Sequence, residues 1–261
     1  MRVIFPKYNG QRYYHSHYTF VLNLFSDGDI ITLCDFKEGE VNEIPLIIDD
    51  KECFINFSDH GILTRDDGII FKMHCDGKDG TFPFSPMSFI GDWKWYDEQK
   101  IEYKAQGYIS NRQRAYGNAK ERREIVEAKL IRYAHDADNY LPVNVTIPQE
   151  DYFNDVENIL VSVCVPGACN NMLDRGQLQY MALGACTISP NLPEVLPFNK
   201  LIRPWEHYIQ CYDDYSDLEA WLDWCRENRE ACIEIGTNAK KLFLETCHPV
   251  AIKKWIKECL L

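Results

Sequence analysis

A chain of 261 residues with 46% hydrophobic content can build one large domain or two small ones, and it is too apolar for intrinsic disorder. Its formal net charge of −12, from 28 basic and 40 acidic residues, argues against nucleic acid or an anionic membrane as the main partner, because either demands a broad basic face. Eleven cysteines without a CxxC pair, several at apolar positions of periodic segments, point to free thiols in a reducing, cytoplasmic setting.

Residues 2–6 read as a first strand. Residues 13–25 read as a helix with Tyr14, Tyr18, Val21, Leu22 and Phe25 at helical spacing. His15 and His17, two apart, cannot share a helix face, so they are expected as surface or loop histidines rather than a metal pair. Short strands are predicted at 29–35 and 46–48, with Asp49 and Asp50 in a solvated charged turn. A clearer strand at 53–57 ends in Ser58-Asp59-His60-Gly61. An Asp beside a His at a strand terminus suits proton transfer, and an Asp there also caps turns; Asp59 is the candidate general base. A strand at 69–74, a turn at 76–80 and an aromatic, proline-rich connection at 81–96 follow.

Residues 111–123, NRQRAYGNAKERR, form the basic island of an acidic chain. Asn118 and Glu121 make a capping-box start for a helix whose expected apolar stripe is Ile125, Ala128, Leu130, Ile131 and Ala134. Arg122 and Arg123 fall in its first turns, where free N–H groups, the helix dipole and a guanidinium suit phosphate oxygens. The competing reading is a solvated face paired with Glu121, Glu124 and Glu127. Adjacent helix residues diverge, so one arginine of the two can face inward. Asp136-Ala-Asp138 is a literal DxD, but it follows a helix rather than a strand, so no metal site is expected there.

The organising stretch is 158–190. A β-branched apolar strand at 159–165 stops at Pro166-Gly167, a helix carries Met172, Leu173, Gly176, Tyr180 and Met181 with Gly184 as its C′ residue, and a strand at 185–189 follows. This is one βαβ unit, and open parallel sheets bind ligands at the carboxyl edge of their strands, where Gly167 and Arg175 lie. Downstream come a short strand at 207–211 and a helix opened by the capping box Ser216 to Glu219, with Leu218, Trp221, Leu222 and Cys225 on one face. The next helix carries Cys232, Ile235, Ala239, Leu242 and Phe243. His248-Pro249 opens the last, with Ile252, Trp255, Ile256, Cys259 and Leu260. No apolar run approaches the roughly 18 residues of a membrane span, and Met1 leads into a strand-like segment, so neither a span nor a signal peptide is expected.

The run RPWEHYI, the acidic YDDYSDL, the amphipathic helix after it, the ENRE break, EIGTNAKKLF and the upstream DRGQLQYMALGACTIS resemble the carboxyl-terminal signature of glycosyltransferase family 90, the capsule-associated and protein O-glucosyltransferase-type enzymes. The resemblance covers residues 159–243. It implies an α/β GT-B fold, two Rossmann-like domains facing across a cleft, with 1–110 on the acceptor side, 111–261 on the nucleotide-sugar side and the last helix returning to the first domain. It implies that Arg175 meets the donor diphosphate, with Arg122 or Arg123 as the second arginine. Gly167 would admit close backbone approach, Glu194 would hold the ribose hydroxyls, and His207 would pack an outer wall of the nucleotide subsite. The implied reaction is a metal-independent, inverting transfer from a nucleoside-diphosphate sugar, UDP-linked, to a hydroxyl of a glycan or protein, with no cofactor; an acceptor-side carboxylate would take the proton, and the strand-end position read above makes Asp59 the candidate. A dinucleotide-dependent enzyme is disfavoured because RVIFPKYNG lacks a GxGxxG loop. The standing alternative is a catalytically silent GT-B module that binds nucleotide or glycan.

Overall fold

The computed structural model describes residues 1–10, 15–36, 43–58, 67–75, 77, 80–84, 108–110, 119–135, 159–166, 173, 175–192 and 195–261. The chain divides into two compact units, Met1–Trp93 with Glu194–Leu201 and Glu245–Leu261, and Lys94–Pro193 with Ile202–Leu244.

In the first unit the described elements are β1 (Arg2–Pro6), α1 (His15–Ser26), β2 (Ile30–Cys34), β3 (Glu43–Ile48), β4 (Lys51–Asn56), β5 (Ile69–Lys72) and β6 (Phe82–Pro83), in the sheet order β2-β1-β3-β4-β5-β6. The sheet is mixed: β1 runs parallel to β2, β3 is antiparallel to both β1 and β4, and β4, β5 and β6 are parallel. Uniform Rossmann-like strands are therefore not what this half builds. The reversal comes from Asp49 and Asp50, whose φ angles of 46° and 69° supply the left-handed pair that a two-residue hairpin needs. The charged turn thus sets strand direction, and β3 starts three residues before the predicted 46.

Side-chain alternation sends Val3, Phe5, Ile44, Leu46, Ile48, Cys53, Ile55, Phe57 and Phe71 to one face. There they meet Tyr18, Val21, Leu24 and Phe25 of α1 and Ile252, Trp255, Ile256 and Leu260 of the final helix, α6 (Pro249–Cys259). The α6 helix is fixed further by Trp255 Nε1 donating to Pro83 O at 3.0 Å and by Lys253 Nζ 2.6 Å from Asp29. His17, expected at the surface, is buried and stacked on Phe57, with ring centroids 4.2 Å apart and planes at 9°. Periodicity alone could not place it, because the face of α1 that carries Tyr18 and Val21 also takes in its neighbour. The short strands β10 (Val195–Leu196) and β11 (Lys200–Leu201) form a hairpin around a 3-10 turn at Pro197–Asn199.

The second unit holds β7 (Tyr108–Ser110), β8 (Ile159–Val163), β9 (Cys186–Ser189) and β12 (Ile209–Gln210), all parallel, in the order β12-β9-β8-β7. Its described helices are α2 (Lys120–His135), α3 (Arg175–Leu183), α4 (Leu218–Glu227) and α5 (Arg229–Thr246), the last belonging to this unit up to Leu244. Val161, Val163, Cys186, Ile188 and Ile209 of the strands pack with Leu218, Leu222, Cys225, Cys232 and Ile235 of α4 and α5. Gly184, at φ 77°, ends α3 as predicted, its N–H donating to Met181 O and the next N–H to Tyr180 O. Two local expectations are corrected. The buried stripe of α2 is Arg123, Val126 and Leu130, while Ile125 and Ile131 are exposed. Ser216 is not the cap of α4: the N-cap residue is Asp217, whose carboxylate instead accepts from Tyr212 N–H at 3.0 Å and Trp221 Nε1 at 2.7 Å. No described helix is long and apolar enough to cross a membrane.

Candidate functional site

The chain leaves β8 through Cys164, Val165 and Pro166, all buried, and each of these three consecutive carbonyls receives a side-chain donor. Tyr215 Oη donates to Cys164 O at 3.3 Å, Arg123 Nη2 to Val165 O at 3.4 Å and Arg122 Nη2 to Pro166 O at 3.0 Å. Carbonyls at the carboxyl end of a parallel strand have run out of ladder partners, so such donors fix the path of the segment that follows. Tyr215 takes this position at φ 56°, a conformation disfavoured for a bulky residue.

The rotation of α2 follows from these contacts. With Val126 and Leu130 turned to the sheet, Arg123 is drawn into the interior, 6% exposed, and Arg122 stands half-buried at Pro166 O. Arg122 and Arg123, the last two residues of the basic island, and the end of β8, far apart in sequence, are thereby brought together. Arg175 is the first residue of α3, the helix that follows the β8 loop. Gln177, in its first turn, donates to Thr187 Oγ1 on β9 at 2.6 Å, and both side chains are buried. This bond ties α3 to the neighbouring strand and sets the direction of its amino-terminal end. Ser162 on β8 and Ser189 at the end of β9 are also fully buried. Sequence reasoning passed over them because serine in an apolar strand carries no periodic signal.

Gly167, Glu194, Asp59 and the Asp136-Ala-Asp138 stretch lie outside the described residues. Approaching Asp59, the chain leaves β4 at Asn56, whose Oδ1 accepts from Ser58 N–H at 2.9 Å. In cross-strand register with Asn56 lie Glu43 on β3 and Lys72 on β5, and all three are buried. A carboxylate, an amide and an ammonium in one row at the carboxyl edge of β4 and β5 were missed in the sequence. Only strand pairing reveals the row, since the three are spread over 30 positions of chain. Long charged side chains are rarely buried without partners, which marks this edge as polar by construction. His207, expected as a packing residue, is buried, and its Nδ1 accepts from Arg203 N–H at 3.0 Å.

No family model matches the chain. Three viral proteins show short similarities. An uncharacterized protein 179R of Invertebrate iridescent virus 6 is 41% identical over 46 residues, and an uncharacterized protein 027R of Frog virus 3 (isolate Goorha) is 37% identical over 61. An uncharacterized protein 035R of Invertebrate iridescent virus 3 is 35% identical over 46. The matched stretches make up 18–22% of this chain and only 4–6% of the relatives, which are far longer polypeptides.

Proposed function

We propose that this chain is a metal-independent glycosyltransferase of GT-B type that moves a sugar from a nucleoside diphosphate, UDP-linked, to a hydroxyl of a glycan or protein. The observation that carries the reading is the pair of guanidinium groups held at the carboxyl end of β8 in an all-parallel sheet. Departure of the sugar builds negative charge on the leaving diphosphate. Fixed guanidinium groups and a helix amino terminus stabilise that charge without reorganising during the reaction. Arg122, the more accessible of the pair, and Arg175 at the start of α3 are assigned to the diphosphate. Arg123 acts as the interior pin that holds the strand end. Gly167 supplies close backbone approach and Glu194 the ribose contact. In the first unit Asp59 takes the acceptor proton, so the sugar is displaced with inversion.

The test is calorimetric titration of the full chain with nucleoside diphosphates, comparing Arg122→Ala and Arg175→Ala with the parent. Each substitution removes a charge-assisted contact and is expected to weaken binding by about 1.5–3 kcal/mol. Unaltered affinity in both variants would remove the assignment. Transfer is expected to survive EDTA; loss on chelation with recovery by manganese would redirect attention to Asp136 and Asp138.

A further inference from the structure

A second feature of this unit is the turn that leads into β12. His207 N–H donates to Arg203 O at 2.9 Å, Trp205 N–H donates to Tyr208 O at 2.6 Å, and Arg203 N–H donates to His207 Nδ1 at 3.0 Å. The turn is rooted in the interior by His207 and by Tyr208, a fully buried residue whose Oη accepts from Leu192 N–H at 3.1 Å. At its apex Trp205 sits at φ 65°, a region costly for a bulky side chain, and the residue remains 46% exposed. The fold therefore holds a large apolar ring out of the core at the expense of backbone strain. Two more indoles stand behind it on α4: Trp221, centroid 5.0 Å away at 69°, and Trp224, 5.4 Å away at 82°.

The surroundings narrow the ligand. Edge-to-face contact between the indoles leaves no space among them for a quaternary ammonium, which needs ring faces turned around it. Glu206, Asp213 and Asp214, all exposed on this stretch, oppose nucleic acid or another anion. Arg203 and Glu206, in the same turn as Trp205, face each other 3.6 Å apart and are both half-exposed or more, with the other Glu206 oxygen 3.6 Å from His207 Nε2, so a donor fork and an acceptor lie side by side in this turn. An uncharged ring with a weakly positive C–H face and peripheral hydroxyls meets all of these demands. Its C–H face matches the negative π-face of an indole, and its hydroxyls exchange hydrogen bonds with the guanidinium and the carboxylate. We propose that Trp205, backed by Trp221 and Trp224, is a platform that binds a neutral pyranose unit of a glycan. The platform stands whether or not the chain transfers sugars.

The full chain is titrated with neutral oligosaccharides built from glucose, galactose or N-acetylglucosamine, following tryptophan fluorescence and saturation-transfer NMR. A tetramethylammonium titration and sedimentation velocity run alongside. At least one oligosaccharide is expected to give a saturable response that Trp205→Ala weakens by about tenfold or more. Trp205→Gly separates binding from packing, because glycine adopts this φ without strain. Its melting temperature is expected to hold or rise while glycan binding is lost. The proposal is overturned by the absence of any saturable oligosaccharide response or by a response to tetramethylammonium alone. Self-association dispersed by Trp205→Ala would likewise make the platform a protein interface, and unfolding of Trp205→Gly would make the indole a core residue.

Discussion

Arg122 and Arg123 are neighbours in sequence and differ in how far α2 buries them, Arg123 in the interior and Arg122 half-buried. The guanidinium of Arg123 is interior and holds Val165 O, so its removal abandons a buried carbonyl. Arg123→Ala is expected to lower the unfolding free energy by about 1.5–3 kcal/mol in urea titrations. Arg122→Ala should cost less stability and more nucleotide affinity. Equal loss of affinity from the two substitutions would return Arg123 to the binding group. The sequence contained the pair and its phosphate-competent chemistry, but the choice between the two depended on helix rotation. That rotation is set by Val126 and Leu130 against the sheet; the expected stripe held Leu130 but grouped it with Ile125 and Ile131, which are exposed. Asp59→Asn, by the usual scale of a lost general base, is expected to reduce turnover about 100-fold while sparing donor affinity. Near-normal turnover would leave Asp59 a turn cap.

At the scale of elements, α6 is tied to the turn before β2 through Asp29, whose carboxylate lies 2.6 Å from Lys253 Nζ and 2.7 Å from the Met1 amine. Burial alone would raise the Asp29 carboxyl, but hydrogen bonds and charge from Lys253 and the amine outweigh it and hold it below its ordinary 3.8. A carboxyl depressed in the folded state contributes fully above its unfolded value and loses that contribution as pH falls through the folded one. Acid below about pH 4 is therefore expected to loosen this tie. In thermal melts, Asp29→Asn should be less stable than the parent at neutral pH and show a smaller drop on acidification. Parallel pH curves for the two proteins would assign the acid sensitivity elsewhere. The same scale shows what patterning cannot resolve. The Ser216 capping box looked complete in sequence, yet Asp217 takes the cap position and spends its carboxylate on Tyr212 and Trp221. Most described strands and the four described helices after β8 were legible, because each buries one continuous face. The mixed sheet was not, since strand direction rests on the backbone conformation of Asp49 and Asp50.

Across the whole molecule, the final helix belongs to the core of the first unit. Ile252, Trp255, Ile256 and Leu260 are each worth about 1.5–3 kcal/mol when fully buried, a sum comparable to the 5–15 kcal/mol that holds a typical domain. Ending the chain after Thr246 is expected to abolish the unfolding transition of the first unit while the second, which uses none of these side chains, keeps its own. Calorimetry of the truncated chain would show one transition; survival of both would mean that α6 is dispensable. Thiol accessibility gives an independent check. Burial pushes the Cys53 and Cys259 thiols up to about 12. Cys164, Cys186, Cys211, Cys225 and Cys232 are interior, and Cys34 is only half-buried on the outer strand β2. Among the described cysteines, iodoacetamide at neutral pH should therefore label Cys34 first, as read by peptide mass spectrometry, with the interior set reacting only on unfolding.

The return of α6 to the first sheet also governs how this protein can be born. A ribosome releases β1 to β6 long before it reaches Pro249, and the whole of the second unit is threaded out in between. At about 5–20 residues per second, the nascent first sheet waits roughly 10–30 s with the face meant for Trp255 and Ile256 uncovered. During that interval it is a substrate for chaperones and a template for aggregation, so the yield of native protein should depend on how fast the last helix is translated.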